Sequence, residues 1–126
     1  MSDLWHMLND EENLFCDVLE RIVAEQITPL AAQTDETSEF VHSQLKVLAD
    51  AGMMGANLPD AYGGSDISAP ALLRAVEIIA GGCGSTVSAL TAHFLATDSI
   101  LIGGTEAQKE AILPKAATGE KLGALR

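Results

Sequence analysis

Residues 85–102 read STVSALTAHFLATDSILI and overlap a run, residues 78–97, that contains no formally charged side chain. A helix at the surface of a protein normally has one polar and one apolar face. Here the polar residues are mostly hydroxyls, which can bond back to the helix backbone. The apolar residues point in most directions around the helix axis. They are Val87, Leu90, Phe94, Leu95, Ile100, Leu101 and Ile102. This pattern predicts a central helix that other elements surround.

Four further segments have the spacing of helices that pack around such a centre. They cover about residues 10–33, 39–51, 68–80 and 105–117. Asn9 with Glu12, and Thr105 with Gln108, have the capping-box pattern that begins a helix. Residues 53–67 are rich in Gly, Pro, Asn and Asp and are predicted to form a loop. The sequence therefore predicts an all-α domain of about five helices around a hydrophobic central helix.

Proline and glycine mark the ends of these segments. Pro29 lacks a backbone donor and is predicted to kink or end the first helix near its last turns, before a polar connector over residues 33–38. Gly52 and Gly119 each follow a periodic segment. They are predicted to end it, because glycine readily takes the left-handed conformation found after a helix.

Composition limits the class of protein. The chain is 48% hydrophobic, which suits one domain, since a chain of this length buries roughly two thirds of its unfolded surface. Its formal net charge of -11 argues against nucleic acid and anionic lipid as partners, because both select basic surfaces. The uncharged run is about long enough to span a membrane. Its Gly81, Gly82, Gly84 and His93 instead favour an interior helix preceded by a turn.

Cysteines and histidines have neither metal-binding nor redox spacing. Cys16 and Cys83 are far apart in the sequence and are interpreted as free thiols in a reducing compartment, so we expect a cytoplasmic protein. The start of the chain, with Asp3 and no basic start, has the pattern of neither a signal nor a transit peptide. The histidines that lack ligand spacing are His6, His42 and His93. We interpret them as structural or solvated and expect no metal site.

A series of short motifs gives the chain a family resemblance. Residues 58–64 read LPDAYGG and resemble the Pro-x-x-Tyr-Gly-Gly loop of the flavin-dependent acyl-CoA dehydrogenases. Residues 48–55 resemble the family's Leu-x-x-x-Gly-Leu-x-Gly segment, with Met53 in place of the second leucine. Further landmarks of the family lie at residues 27–31, 104–109, 113–114 and 119–124. The shared order of these motifs across about residues 20–126 carries the resemblance.

The resemblance implies that the chain is the N-terminal part of such an enzyme. Residues 1–120 would form the N-terminal helical domain, and residues 121–126 would begin the strand that leads to a β-domain. In the family a C-terminal helical domain follows and supplies the catalytic glutamate, and most of the FAD site also lies outside the region that this chain covers. We therefore expect no catalytic residue here. The chain alone is expected to be inactive and to bind FAD weakly or not at all.

The reaction that the resemblance implies is the α,β-dehydrogenation of an acyl-CoA thioester. In the family, a carboxylate removes the α-proton as the β-hydrogen leaves as hydride to FAD. The N-terminal domain supplies one wall of the acyl-chain pocket, chiefly from the central helix. The residues placed there, because they recur on roughly one helix face, are Leu90, Phe94, Thr97 and Leu101. Leu125 stands where many members carry an aromatic residue near the flavin, so it is the candidate cofactor contact.

The resemblance also implies partners. They are an acyl-CoA substrate, an electron-transfer flavoprotein or similar electron acceptor, and either the missing domains or a partner subunit that carries them. Whole members of the family are commonly tetramers, so a homo-oligomer is expected. A lone helical domain is also expected to self-associate, because the surface that meets the β-domain would be exposed.

Two other hypotheses stay open at this point. The chain could be a non-catalytic interaction subunit that completes a partner's active site. Residues 98–100, Asp-Ser-Ile, resemble the Asp-Ser-Leu attachment site of acyl carrier proteins, although Gly103 follows closely and apolar residues precede them. Asp98 is expected either to be paired at the domain edge or to touch a polar group of the substrate. Tyr62 is interpreted as holding the loop rather than a ligand.

Overall fold

Five helices make up the computed structural model of this protein, which describes residues 6–124. They are α1 (Asp10–Ile22), continued through a π turn (Val23–Ile27) by α2 (Thr28–Thr37), then α3 (His42–Asp50), α4 (Ala69–Gly82), α5 (Gly84–Gly103) and α6 (Glu106–Ala117). We count α1, the π turn and α2 as one continuous helix. Residues 6–124 contain no strand. The predicted all-α fold is confirmed, and the strand expected to begin at residues 121–126 stays a prediction.

The first helix runs on to Thr37, where the sequence predicted a polar connector from residue 33. That prediction was wrong because the helix adapts to Pro29. The π turn closes with a hydrogen bond from the Thr28 N–H to the Val23 carbonyl, and this wider turn makes room for the proline ring. Pro29 then stands in the first turn of α2, where a missing N–H is tolerated. The helix ends at Ser38, whose φ is 57°.

The predicted capping boxes and glycine helix ends agree with the structure. Both capping boxes form, and Gly52 and Gly119 follow α3 and α6 with φ of 81° and 82°. The Ser68 hydroxyl caps α4 by accepting from the Ala71 N–H. It also donates to the Glu12 carboxylate over 2.6 Å, and this bond holds the pKa of Glu12 below its usual value. Glu12 therefore ties the start of α1 to the start of α4.

The main core lies where the first helix, α3, α4 and one side of α5 meet. Its buried residues are Leu19, Val23, Ile27, Val41, Leu45, Leu48, Met53, Met54, Ala56, Ala75, Ile79, Cys83, Leu90 and Phe94. A smaller cluster of Leu58, Leu113 and Ala117 lies beneath α6. These two clusters pack against one side of α5.

The opposite side of α5 is exposed. Leu95 is 58% exposed and Ile102 is 85% exposed, so the prediction that other elements surround this helix is right for one side only. By length and composition alone α5 would also suit a membrane span. Because Leu90 and Phe94 on its covered side belong to the main core, we interpret it as a core helix of the domain.

The loop between α3 and α4 is folded, and its first part, residues 53–56, is buried. It contains two 3₁₀ turns, Met53–Gly55 and Asp60–Tyr62, and the side chain of Leu58 between them is fully buried. Asn57 fastens the loop to α5, because its Nδ2 donates to Thr97 Oγ1 over 3.1 Å and to Asp98 Oδ1 over 2.7 Å. The loop thus serves the packing of the domain.

The crossing of α4 over the π turn predicts opposite effects for two neighbouring glycines. A Cβ on Gly82 would collide with Val23 Cγ1 and lie 2.9 Å from Thr28 Oγ1, and valine has little freedom to rotate away. Gly82→Ala should therefore destabilise the fold by about 1–3 kcal/mol. Gly81 has no atom within 4 Å of such a Cβ, so Gly81→Ala should stabilise by about 0.5–1 kcal/mol. Urea unfolding followed by circular dichroism measures both, and effects of equal sign would contradict this packing.

The bonds of Asn57 to α5 predict a graded loss of stability. Asn57→Ala removes both donated hydrogen bonds and should destabilise the fold by about 1–2 kcal/mol. Asn57→Asp should destabilise the fold further near pH 7, because the carboxylates of residue 57 and Asp98 would then face each other. Acidification toward about pH 4 should reduce the difference in stability between Asn57→Asp and Asn57→Ala, because carboxylates become protonated in this range. Ser99→Ala, on the exposed side of α5, is the control and should change stability by no more than about 0.5 kcal/mol. Urea unfolding at both pH values separates these cases, and an Asn57→Asp variant as stable as wild type would count against the pairing.

Candidate functional site

The four residues predicted to contact an acyl chain do share one side of α5, and that side is the covered one. Leu90 and Thr97 are 0% and 1% exposed, Phe94 is buried in the main core, and Leu101 packs on the cluster beneath α6. Thr97 Oγ1 donates to the Phe94 carbonyl over 3.1 Å and accepts from Asn57. All four thus pack within this chain, and their contact with an acyl chain stays a prediction.

A second set of residues recurs every three or four positions on the opposite side of α5. We call it the open face, and its residues are Ser88, Ala92, Leu95, Ser99 and Ile102. At about 100° per residue these positions form one stripe along the helix. Four of them are exposed and Ala92 is half-buried. The stripe carries two large exposed apolar side chains, Leu95 and Ile102, and it is therefore the candidate surface for contact with another element or a ligand.

The hydroxyl groups beside the large side chains of the open face bond to their own helix. Ser99 Oγ donates to the Leu95 carbonyl over 2.8 Å. Thr91, at the edge of the stripe, donates to the carbonyls of Val87 and Ser88 over 3.0 and 3.1 Å. The hydroxyl protons of Ser99 and Thr91 need no outside partner, so the part of the open face from Leu95 to Ile102 can lie against hydrocarbon without leaving them unsatisfied.

The polar residues around the open face are paired or structural. Asp98, half-buried at its edge, accepts from Asn57 over 2.7 Å, so it is paired, as one of its two predicted roles required. Tyr62 packs on the cluster beneath α6, which agrees with its predicted role of holding the loop. No group of three metal-ligating side chains occurs within residues 6–124. The open face itself consists of Leu95, Ile102, Ala92 and two serines, Ser88 and Ser99.

The two thiols are free, as predicted, and the structure shows that both are buried. Burial raises the pKa of the Cys16 thiol, so little reactive thiolate forms there. Cys83 separates α4 from α5, and its side chain lies in the main core. Both cysteines thus behave as small core residues. The candidate cofactor contact, Leu125, lies outside the described residues.

His93 is a polar residue whose part in the fold the sequence did not reveal. It is completely buried, with Nε2 3.0 Å from the Met54 carbonyl oxygen and Nδ1 accepting from the Gly123 N–H over 2.9 Å. Burial lowers its pKa, so the ring is neutral near pH 7. The only sequence signal was a lone histidine in an apolar helix, which does not name its partners.

Comparison with known proteins agrees with this fold and with the motifs. Residues 9–120 match the model of the family described as acyl-CoA dehydrogenase, N-terminal domain. The short-chain specific acyl-CoA dehydrogenase of Clostridium acetobutylicum is 35% identical over 118 residues, which are 93% of this chain and 31% of that protein. The mitochondrial isovaleryl-CoA dehydrogenase of Bos taurus is 30% identical over 99% of this chain and 30% of its own length.

Solved structures show the same likeness. The structure of butyryl-CoA dehydrogenase from Megasphaera elsdenii matches with a TM-score of 0.81 and 27% identity, over 91% of this chain and 31% of that chain. A glutaryl-coenzyme A dehydrogenase in complex with glutaryl-CoA matches with a TM-score of 0.84 and 28% identity, over 92% of this chain and 30% of that chain. The chain thus spans under a third of the length of these relatives. With its family match over residues 9–120, the chain belongs to the acyl-CoA dehydrogenase family, in the part that forms the N-terminal domain.

Proposed function

We propose that this chain is the N-terminal domain of a flavin-dependent enzyme that dehydrogenates an acyl-CoA thioester between its α and β carbons. The family match over residues 9–120 supports the proposal. So do relatives named for short-chain acyl-CoA and isovaleryl-CoA substrates. In such an enzyme the domain would bind and orient the acyl chain, and the chemistry would take place beside it.

The observation that carries this proposal is the open face of α5. Leu95 and Ile102 are more than half exposed, and the hydroxyl of Ser99 between them is satisfied within the helix. We propose that this face makes the direct contact with the acyl chain. Leu90, Phe94, Thr97 and Leu101 would then support the wall from behind, since they are committed to the domain's own packing.

An apolar wall has a definite task in such a reaction. It holds the acyl chain in one orientation and keeps water away from the reacting carbons. The residues of the open face carry no ionisable side chain, and Asp98 at its edge is bound to Asn57. We therefore assign the base that takes the α-proton to a part of the complete enzyme beyond this chain.

The cleft between α3 and the segment after α6 does not suit the diphosphate of FAD. This cleft has a volume of about 430 Å³. Asp50 and Glu120 line it and would repel a diphosphate, while Lys46 in the same cleft is already 3.9 Å from Asp50. We propose that the complete enzyme holds FAD elsewhere, with Leu125 as the candidate contact from this chain.

Partners and location follow as parts of the same proposal. An electron-transfer flavoprotein or similar acceptor would reoxidise the enzyme, and the complete enzyme would be a homo-oligomer. The free, buried state of Cys16 and Cys83 suits a reducing compartment such as the cytoplasm.

Enlarging a residue of the open face tests the wall directly in the complete enzyme. Leu95→Phe should lower kcat/KM for the longest accepted acyl-CoA by about tenfold, a loss of roughly 1.4 kcal/mol. The shortest substrate should be affected little, because its chain does not reach the added ring. Leu73→Phe makes the same exchange at an exposed site on α4 and should leave the profile unchanged. A chain-length profile that Leu95→Phe does not alter would contradict the proposed contact.

The isolated 126-residue chain gives a second test. We expect it to carry no stoichiometric flavin after purification and to self-associate through the open face, because exposed apolar stripes attract one another in water. Leu95→Lys should shift the chain toward monomer in sedimentation velocity, and Leu73→Lys should not. Tight stoichiometric FAD would overturn the cofactor assignment. Self-association that is unchanged in Leu95→Lys would show that another surface is responsible.

A further inference from the structure

His93 connects three separate parts of the domain. It lies on the covered side of α5 with no exposed surface. Its Nε2 is 3.0 Å from the carbonyl oxygen of Met54, 39 residues away in sequence, in the loop before α4. Its Nδ1 accepts from the N–H of Gly123, 30 residues away, in the tail (residues 118–124) that leaves α6.

These two partners determine the state of the ring. A nitrogen that accepts from a backbone N–H carries no proton, so Nδ1 is bare. Nε2 therefore carries the proton and donates it to Met54. A second proton on Nδ1 would point at the Gly123 N–H, placing two donors face to face. The bond to the tail can thus exist only while His93 is neutral.

The tail lies directly on α5 at this point. A Cβ on Gly123 would come within 2.7 Å of the Ala96 Cβ and 3.4 Å of the His93 carbonyl oxygen. Ala96 borders the open face, since it lies one turn of the helix from Ala92. The Gly123–His93 bond therefore fixes the tail along one edge of the open face.

We propose that His93 is a positioning residue that fixes where the chain leaves the helical domain, and that a second proton on its ring releases the tail. His93 touches no reacting group in this role. It acts through the backbone of Gly123, and so on the direction of whatever follows Ala124. The inference goes beyond the proposed function and does not depend on acyl-CoA chemistry.

Among the described residues, no charged side chain is close enough to His93 to influence its pKa, so the bond to Gly123 depends on the protonation of the ring itself. Burial is the largest influence on its pKa and lowers it, while the carbonyls of Met54 and Ala116 act in the opposite direction and no charged side chain contributes. The ionisable residues of the adjoining segments are Asp98 on α5, Asp50, Asp60, Tyr62 and Asp66 at the loop, Glu106, Lys109, Glu110 and Lys115 on α6, and Glu120 and Lys121 in the tail. Asp98 is paired with Asn57, Lys109 lies 3.6 Å from Glu106, Tyr62 is half-buried, and the remaining residues are exposed.

The sign of the pH effect follows from the lowered pKa. The unfolded histidine takes up its proton near about pH 6.5, before the folded one does. Stabilisation by neutral His93 is therefore complete above that pH and declines as the pH falls through this value toward the folded pKa. The bond to the tail itself weakens around the folded pKa, at the acid end of this window, because only there does the folded ring take up its second proton.

Two substitutions separate the two bonds in the 126-residue chain. His93→Asn places an amide oxygen near the position of Nδ1, so it can accept from Gly123 without titrating. His93→Gln places an amide donor near the position of Nε2, so it can reach Met54 but not Gly123. Lys121, whose N–H bonds to the Lys115 carbonyl over 3.1 Å, supplies a reference amide in the same tail.

The measurement is amide hydrogen exchange and chemical shift by NMR, together with the ¹⁵N shifts of the His93 ring. In wild type we expect a bare Nδ1 at neutral pH and a Gly123 amide shift that titrates with the ring. His93→Gln should speed Gly123 exchange by about tenfold, equal to roughly 1.4 kcal/mol, with Lys121 little changed. His93→Asn should keep Gly123 protected and remove its titration.

Several results would overturn the proposal. They include a protonated Nδ1 at neutral pH, a Gly123 amide that ignores ring protonation, and unchanged Gly123 protection in His93→Gln. If the chain unfolds in acid before the ring titrates, His93→Asn must shift the unfolding midpoint to lower pH, and an unshifted midpoint rejects the role. Since these readouts require neither substrate nor flavin, their failure is distinct from failure of the proposed enzyme activity.

Discussion

His93 and Thr97 lie side by side in the covered half of α5, and the loop and the tail are held in place through these two buried polar groups. Thr97 Oγ1 accepts a hydrogen bond from Asn57 Nδ2. His93 forms hydrogen bonds with the Met54 carbonyl oxygen and the Gly123 N–H. A buried polar group without a partner costs about 1–3 kcal/mol. Moving the loop or the tail away from α5 would therefore leave buried polar groups without partners.

This arrangement divides α5 into two halves with different tasks. The covered half holds the domain together through Leu90, Phe94 and the polar pair. The open face contributes almost nothing to the domain's own core, since Leu95 is 58% exposed. A helix without a conventional polar face thus serves its own domain on one side and remains available for an acyl chain or another element on the other.

Local chemistry explains which features the sequence could predict. A capping box needs only residues within one turn, so the starts of α1 and α6 were predictable from Asn9 and Thr105. Gly52 and Gly119 mark helix ends because their positive φ is itself local. Pro29 was misleading for the opposite reason. Its effect depends on whether the preceding turn can widen. Val23 in that turn lies against Gly82 on α4, so the shape of the turn depends on a segment that is distant in the sequence.

The candidate site likewise separates what local sequence predicts from what depends on tertiary packing. The sequence by itself determined the all-α class, the capped starts of α1 and α6, the glycine ends of α3 and α6, the family resemblance and the role of α5 as the central apolar helix. Only the tertiary structure decided which side of that helix is covered. The spacing of apolar residues along a helix is the same whether they pack in the core of the domain or contact a ligand. The tertiary structure also decided the partners of His93, which lie 30 and 39 residues away. Such contacts form when distant segments pack together, and neither spacing nor composition along the chain encodes them.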